Sequence, residues 1–433
     1  MRFLARALMI FLFVLGAFVR FFVGWLVLLL LFQPKARRQE WFGRCFVGLF
    51  RSLGATFIKV GQIMSTRPDL FPPHVIHALE TLQDNVGPFP YALVQRTIVD
   101  ELGKPPEEIF AEFQPQPIAS ASVAQVHKAR MHDGRVVAVK VRRPKIEQIV
   151  EFDLRVMRLF AKLMCIVPSV AMLAPVESVD EFGRGIRMQL DFRIEAANNR
   201  RFRKMFAGDP DVLFPALVEE LCTGRVLVME FIDGTKILSF KREAQHATTV
   251  EIEKKAKRLA AIGFRVMLKM VFEDGFVHAD LHPGNIFITR DERVAILDLG
   301  LVGELDDVHR AGFARYFAAW AQGDGKTMAK LMSELSPTRQ IRDYAGYESA
   351  VVEFVKKYYG KKLGEVQVSL VFMDMMNILR RFRVRVNPTF TLVNIAIAVT
   401  EGIGKQLDPD VDLMAEALPF FARFNFFQPA AQA

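Results

Sequence analysis

Val277-His278-Ala279-Asp280-Leu281-His282-Pro283-Gly284-Asn285-Ile286-Phe287 is followed a few residues later by Ile296-Leu297-Asp298-Leu299-Gly300. The stretch sets out an aspartate, then an asparagine, then a second aspartate at the end of an apolar run. Phosphoryl transfer uses this order for a catalytic base and two magnesium ligands. The reaction asks for little covalent chemistry. It needs an in-line arrangement and cations that neutralise phosphate charge. Pro283-Gly284 makes a sharp turn able to aim Asp280 and Asn285 into one place. Asp280 then reads as the base or water-positioning group, with Asn285 and Asp298 as magnesium ligands. The bland alternative, a polar turn that caps helices, does not explain why three elements agree in order. His278 and His282 flank Asp280, and H-x-D-x-H admits a divalent-metal hydrolase. That reading needs further ligands, and no other His/Asp/Glu cluster of similar density supplies them. His278 reads instead as a prop for the loop, and His282 as a group behind it or near a nucleotide.

Working upstream, Val136-Val137-Ala138-Val139-Lys140 ends an apolar, β-branched strand in a lysine. Burial there is costly unless an anion pairs with it. Kinase folds use such a lysine on the α/β-phosphates and pair it with a helix glutamate. Glu195, in Phe192-Arg193-Ile194-Glu195-Ala196-Ala197, is the best partner. Alone, V-A-V-K is a weak signal, since many edge strands end in lysine. Ala119-Ser120-Ala121-Ser122 lies where a phosphate loop belongs, just before the hairpin formed by Val123–Arg130 and Val136–Val141 around Asp133-Gly134. It holds small residues but no glycine. Backbone N–H groups can still approach phosphate and the hydroxyls add donors, but positive φ is expensive, so the loop is expected to be stiff. Read by itself it is an ordinary small-residue turn. Val226–Phe231 is a further strand, ending at Asp233-Gly234 as a hinge. Glu230 on it is a candidate cofactor contact.

The bulk properties bound the rest. The chain has 433 residues, net charge +9 and 51% hydrophobic residues, with a mean hydropathy of +0.19. The length allows two or three lobes. The charge suits an anionic partner such as a nucleotide or anionic lipid. No arginine-rich tract interleaves with aromatics, so nucleic acid is not expected. Cys45, Cys165 and Cys222 are scattered, which indicates neither a disulfide framework nor a zinc cluster. Ala7–Phe32 carries a single charge, Arg20. As one helix it would rise roughly 39 Å, enough to cross a hydrocarbon core of about 30 Å. Arg20 would then sit mid-span, at a cost of about 2.5–3.5 kcal/mol. Two interfacial pieces, Ala7–Val19 and Phe21–Phe32, are the alternative, with Arg20 reaching the headgroups. A signal peptide is a third reading, although no A-x-A site follows.

Apolar spacing predicts one amphipathic helix over 39–66, helices over 74–83 and 91–101, and long helices over 145–163 and 179–206. The pattern beyond the hinge is mostly helical, with short strands at 286–288 and 294–297. Arg67–Pro73 reads as a turn cluster, and Phe420–Phe427 as an aromatic tail that packs on its own lobe.

These residues together resemble the UbiB family of atypical protein-kinase-like proteins, which is associated with ubiquinone biosynthesis. The family's KxGQ motif is similar to Lys59-Val60-Gly61-Gln62, and its alanine-rich loop to Ala119–Ser122 running into Val123-Ala124-Gln125-Val126-His127. Its strand lysine resembles Lys140, with Arg143-Pro144 after it. Its catalytic loop resembles His278–Asn285, and its metal motif Asp298-Leu299-Gly300. Three departures stand out. Gln189-Leu190-Asp191 lies where the family has E-x-D, which implies that Lys59 is held less firmly. Ser120 replaces an alanine, and Ala124 stands where glycine is frequent. The apolar segment is N-terminal, with no apolar helix pair at the C-terminus.

The resemblance implies an α+β, protein-kinase-like two-lobed fold with an N-terminal helical extension and a mostly helical C-lobe. Its divisions are 1–34 as a membrane-associating segment, 35–105 as the extension carrying KxGQ, 106–232 as the N-lobe and 233–433 as the C-lobe. It implies ATP and Mg2+ as cofactors, bound by Lys140, Ala119, Ser120, Ala121, Ser122, Glu230, Asn285 and Asp298, with Lys59, Gly61 and Gln62 gating the cleft. The KxGQ helix would occupy the place where a peptide substrate docks, and Ala279 replaces the arginine of the usual HRD. Both favour a small or lipid substrate, such as a quinone precursor, over proteins. Other quinone-biosynthesis proteins are expected partners, and a bacterial inner membrane (or a mitochondrial one) the expected location. Two other readings compete. A small-molecule phosphotransferase of the aminoglycoside or choline kinase type would lack Lys59–Gln62, and a nucleotide-sensing scaffold would show no turnover.

Overall fold

The computed structural model describes residues 2–65, 73–79, 81–82, 87–166, 175–237, 239–240, 242, 249–281, 283–338, 340–359, 368–385 and 388–408. Segments 67–72 and 420–427, and His282, lie outside them. The chain divides into two units, residues 1–197 with 216–231, and residues 198–215 with 232–433.

The first unit begins with helices α1 (Arg2–Leu30), α2 (Lys35–Leu53), α3 (Ala55–Ser65) and α4 (Pro73–Leu79). α1 runs unbroken through Arg20 and is not two pieces. The helix expected over 39–66 is two, because Gly54 sits at φ +96°, a backbone that only glycine adopts freely. Ile10, Phe50, Leu53, Phe57, Leu79 and Phe152 form one buried core shared by α1–α4 and a later helix. α5 (Tyr91–Leu102) and α6 (Pro106–Ile109) precede an antiparallel sheet of β1 (Glu112–Phe113), β2 (Ala119–Ser120), β3 (Ala124–Arg130) and β4 (Val136–Arg142). The β3–β4 turn places Gly134 at φ +90°, and Asp133 Oδ1 accepts the Arg135 N–H at 2.9 Å. The expected hairpin is therefore present.

α7 (Ile146–Met164), α8 (Pro175–Leu190) and α9 (Phe192–Met205) follow. One helix was expected over 179–206; it breaks at Asp191, whose carboxylate accepts the Arg193 N–H at 3.1 Å. Gly224 O accepts the Phe192 N–H at 3.2 Å. The chain then gives β5 (Val212–Leu213) to the second unit and returns as β6 (Val226–Glu230), which pairs with β4. Alternation sorts β4 by face. Val137, Val139 and Val141 enter a core with Val94, Ile98 and Phe110. The opposite face meets Ala124, Phe192, Ala196 and Leu227. Lys140 alternates onto that face, and α9 covers it.

The second unit holds a four-stranded sheet, ordered β5, β10 (Val294–Ile296), β9 (Ile286–Thr289), β7 (Gly234–Lys236). β8 (Phe276–His278) pairs with β11 (Val302–Glu304). α10 (Val250–Leu268) widens into a π-turn at Lys269–Glu273. α11 (Asp307–Ala321), α12 (Gly325–Leu335), α13 (Tyr344–Tyr358), α14 (Val368–Arg381) and α15 (Pro388–Leu407) complete it. Residues 198–215, assigned above to the N-lobe range, sit in this unit. β5 pairs parallel with β10, and Phe202, Phe206, Val212 and Phe214 are buried in the second unit's core.

Candidate active site

In the first unit, the Lys140 ammonium donates to both Glu195 carboxylate oxygens, at 2.9 and 2.8 Å. Both residues are buried, at 8% and 3% exposure. The Phe192 ring lies 5.3 Å from the ammonium, closing its other side. A buried charge pair persists only when its geometry is good, and here each partner satisfies the other. Both residues stand where the sequence placed them.

The small-residue loop is built from β2 and its turn. Ala119 and Ser120 pair with Val126 and Gln125, and Ala121 N–H donates to Ala124 O at 2.8 Å. Ser122 is fully buried, and its hydroxyl has no hydrogen-bond partner among the described residues. Sequence reasoning missed the residue that holds this loop. Arg143 donates to Ala121 O at 3.2 Å, to Gly87 O at 3.0 Å and to Ser120 Oγ at 3.4 Å. It also stacks over Phe89, 5.1 Å from the ring centroid. Burial lowers its proton affinity below the ordinary arginine value. Its place one residue past the strand was the available signal.

A second network braces β3 to the Phe89 loop. Gln125 Oε1 accepts the Phe89 N–H at 3.0 Å. Gln125 Nε2 lies 2.9 Å from His127 Nε2, and His127 Nδ1 lies 2.8 Å from Gln114 O. The carbonyl can only accept, so Nδ1 carries the proton and Nε2 accepts from Gln125. Burial lowers the His127 pKa, favouring this neutral form. Glu230 closes β6, exposed, with its carboxylate accepting the Ala216 N–H at 3.2 Å.

Lys59, Gly61 and Gln62 lie on α3, which packs on α2, α4, α7 and α8. Lys59 is buried at 8% exposure. Gly61 is there for space, since a Cβ would lie 2.2 Å from Leu82 and 2.6 Å from Phe50. Gln62 donates to Leu82 O at 3.3 Å. Gln189, the departure from E-x-D, is buried, and its amide nitrogen has no hydrogen-bond partner among the described residues. The Asp191 carboxylate pairs with Arg193 instead, at 2.7 Å.

In the second unit, His278 ends β8 at 2% exposure. Its Nδ1 accepts the Asp280 N–H at 3.1 Å, and its Nε2 lies 3.0 Å from Asp298 O. An acceptor at Nδ1 requires the proton on Nε2, so the neutral ring donates to Asp298 O. His278 thus ties the Asp280 backbone to the Asp298 backbone. Both ring nitrogens are committed to the main chain, which leaves it unsuited to metal ligation. Asn285 Nδ2 donates to Asp280 O at 3.4 Å, leaving the amide oxygen as the open acceptor. Leu297 N–H donates to Asn285 O at 2.9 Å, and Asn198 holds Leu299 O at 2.8 Å. Asp298 sits at φ +56°, strained for a residue with a Cβ, and its side chain is exposed. An amide oxygen and an exposed carboxylate are hard donors of the kind magnesium takes. The residues present therefore fit that ion.

By fold and by family the chain is a kinase-like phosphotransferase. Residues 81–332 match the ABC1 atypical kinase-like domain, and residues 351–412 the UbiB helical domain. The chain belongs to this UbiB family of atypical kinases. It is 35% identical over 393 residues to a probable protein kinase UbiB of Aeromonas hydrophila, covering 89% of this chain and 70% of that one. The corresponding Aliivibrio fischeri protein is 34% identical over 376 residues, covering 86% and 68%. Among solved structures, the Rv3197–erythromycin complex of Mycobacterium tuberculosis matches with a TM-score of 0.54 at 25% identity, covering 83% of this chain and 90% of that one.

Proposed function

We propose that this chain is a membrane-associated, Mg-ATP-dependent kinase or ATPase that supports quinone biosynthesis, acting on or in response to a small or lipid substrate. The observation that carries the reading is the buried, bidentate Lys140–Glu195 pair. A lysine held so firmly in a strand is a preset cation for the α/β-phosphates. The Ala119–Ser122 loop, stiffened by Arg143, offers backbone N–H groups and hydroxyls to the same phosphates. Glu230 supplies a backbone edge for the base.

Asn285 and Asp298 would hold magnesium, which when bound neutralises phosphate charge. His278 fixes the main chain at Asp298 and at Asp280. Asp280 positions the nucleophile and receives its proton. Lys59 and Gln62 gate access, and Ala279 removes the arginine that anchors a phosphorylated activation loop. A small or lipid acceptor fits these two features better than a protein does.

The test is ADP release by purified protein with Mg-ATP, with and without liposomes and phenolic quinone precursors. Turnover that requires magnesium and rises with lipid or precursor is expected. Nucleotide binding with no turnover under any of these conditions would replace the kinase reading with a scaffold.

A further inference from the structure

α1 is apolar enough to cross a bilayer, with mean hydropathy 2.4 over Arg6–Leu30. Yet it is docked along its length. Its less exposed positions include Ala7, Ile10, Val14, Ala17, Phe21, Gly24 and Leu28, a three–four spacing that makes a coiled-coil seam. α2 lies on that seam. Trp41 fits against Gly24, where a Cβ would lie 2.3 Å from the indole, and donates to Phe21 O at 3.3 Å. Arg20 is beside the seam, its guanidinium 3.5 Å from Arg44 O. At its start α1 is pinned by Arg6, which donates to both Asp153 oxygens at 3.0 and 2.9 Å and to Leu53 O at 2.7 Å. Asp153 is fully buried on α7.

The opposite surface of α1 is bare and apolar. Leu12, Val19 and Leu26 lie directly away from the seam at 55%, 52% and 46% exposure. Leu8, Phe22 and Leu30 flank them at 58%, 53% and 67%. A soluble monomer seldom exposes more than a few hundred Å² of such surface in one patch.

Resting on the membrane reading above, we propose that α1 binds the bilayer lying in its plane, still docked on α2, with its outward face in one leaflet. Two alternatives are costly. If the docked pair stood upright, Arg20 and Arg44 would share one depth near mid-span, at about 2.5–3.5 kcal/mol each. If α1 left α2 to span alone, Asp153 would stay buried without its partner, a loss of about 3–5 kcal/mol for a pair of this kind. In the plane, the outward face enters the headgroup–acyl boundary, while Arg20 stays on the side of α2. α2 carries Lys35, Arg37, Arg38, Arg44 and Arg51 against Glu40 alone, a balance that selects an anionic lipid surface. α3, with Lys59–Gln62, packs directly on α2, so the gate candidate is one helix removed from the lipid.

The test places a fluorophore on single cysteines, Leu12→Cys, Val19→Cys and Leu26→Cys, in the full chain carrying Cys45→Ala, Cys165→Ser and Cys222→Ser. The probe is vesicles of phosphatidylcholine and phosphatidylglycerol containing spin-labelled lipids that quench at a shallow or a deep position. All three sites face outward, so the substitutions leave the docked seam intact. The expected result is the same shallow-to-deep quenching ratio at all three. Deep quenching at Val19 with shallow quenching at Leu12 and Leu26 overturns the in-plane arrangement but keeps the membrane reading. No quenching at any site overturns both, and dimerisation in gel filtration would then assign the apolar face to a second copy.

Discussion

The candidate site residues of the two units are held by different physics. In the first unit a side-chain ion pair does the holding: Lys140 and Glu195 are buried and each is the other's partner. In the second unit the holding is done by a neutral ring on backbone groups, His278 bridging Asp280 N–H and Asp298 O. A cation that must meet phosphate can be stored beside a carboxylate. A carboxylate meant for a metal ion can instead be positioned through its main chain. The first design makes stability depend on the functional residue itself. The second separates the two.

The largest expected effect breaks the first half of that contrast. Lys140→Met strands Glu195 in the core, and the loss should be about 3–5 kcal/mol of folding stability, together with loss of ATP binding. Adding Glu195→Leu should recover most of the stability and none of the binding. Both are read by denaturant unfolding and nucleotide titration. A Lys140→Met protein as stable as wild type would show that the pair is not the brace described here.

Asp298→Asn tests the other half. The side chain is exposed, so unfolding should be unchanged, while magnesium-dependent turnover should fall by roughly 10²–10³-fold, the loss typical of removing one stabiliser of transition-state charge. Wild-type turnover in this variant would remove Asp298 from the metal set.

The contrast also explains what could be read in the sequence. The Lys140–Glu195 pairing and the gathering of Asp280, Asn285 and Asp298 near His278 were legible because kinase-like spacing along the chain is itself the signal. The hairpin around Gly134 was legible because its turn chemistry is local. The break at Asp191 was not, since it depends on Phe192 N–H reaching Gly224 O across the fold. Nor was the move of residues 198–215 into the second unit, where β5 waits for β10. The Arg6–Asp153 pair was equally silent, and Arg143 showed only its place after the strand, because an arginine's partners lie wherever the fold brings carbonyls and acids. The two helices inferred as one over 39–66 did have a sign, Gly54, which the apolar periodicity masked.

A smaller effect is expected at His278. His278→Phe keeps the ring's bulk but leaves Asp280 N–H and Asp298 O without it, at about 1–3 kcal/mol. The sharper readout is magnesium dependence. Half-saturating magnesium should rise, because the main chain at Asp298 loosens, whereas a purely structural loss would lower the melting temperature alone.

The smallest effect lies in the first unit and uses the same kind of neutral histidine. Burial lowers the His127 pKa, so the unfolded chain, near the ordinary value of about 6.5, takes up a proton first on acidification. The His127 contribution is therefore complete above pH of about 6.5 and is lost as pH falls through that value toward the lower folded pKa. In His127→Gln this titration is absent. The melting-temperature gap between wild type and variant, wide near neutrality, should narrow steadily on the acid side. A gap that stays constant or widens in acid would mean that His127 carries its proton in the fold. Gln125 Nε2 could then no longer donate to it, and the brace on the Phe89 loop would have to be drawn differently.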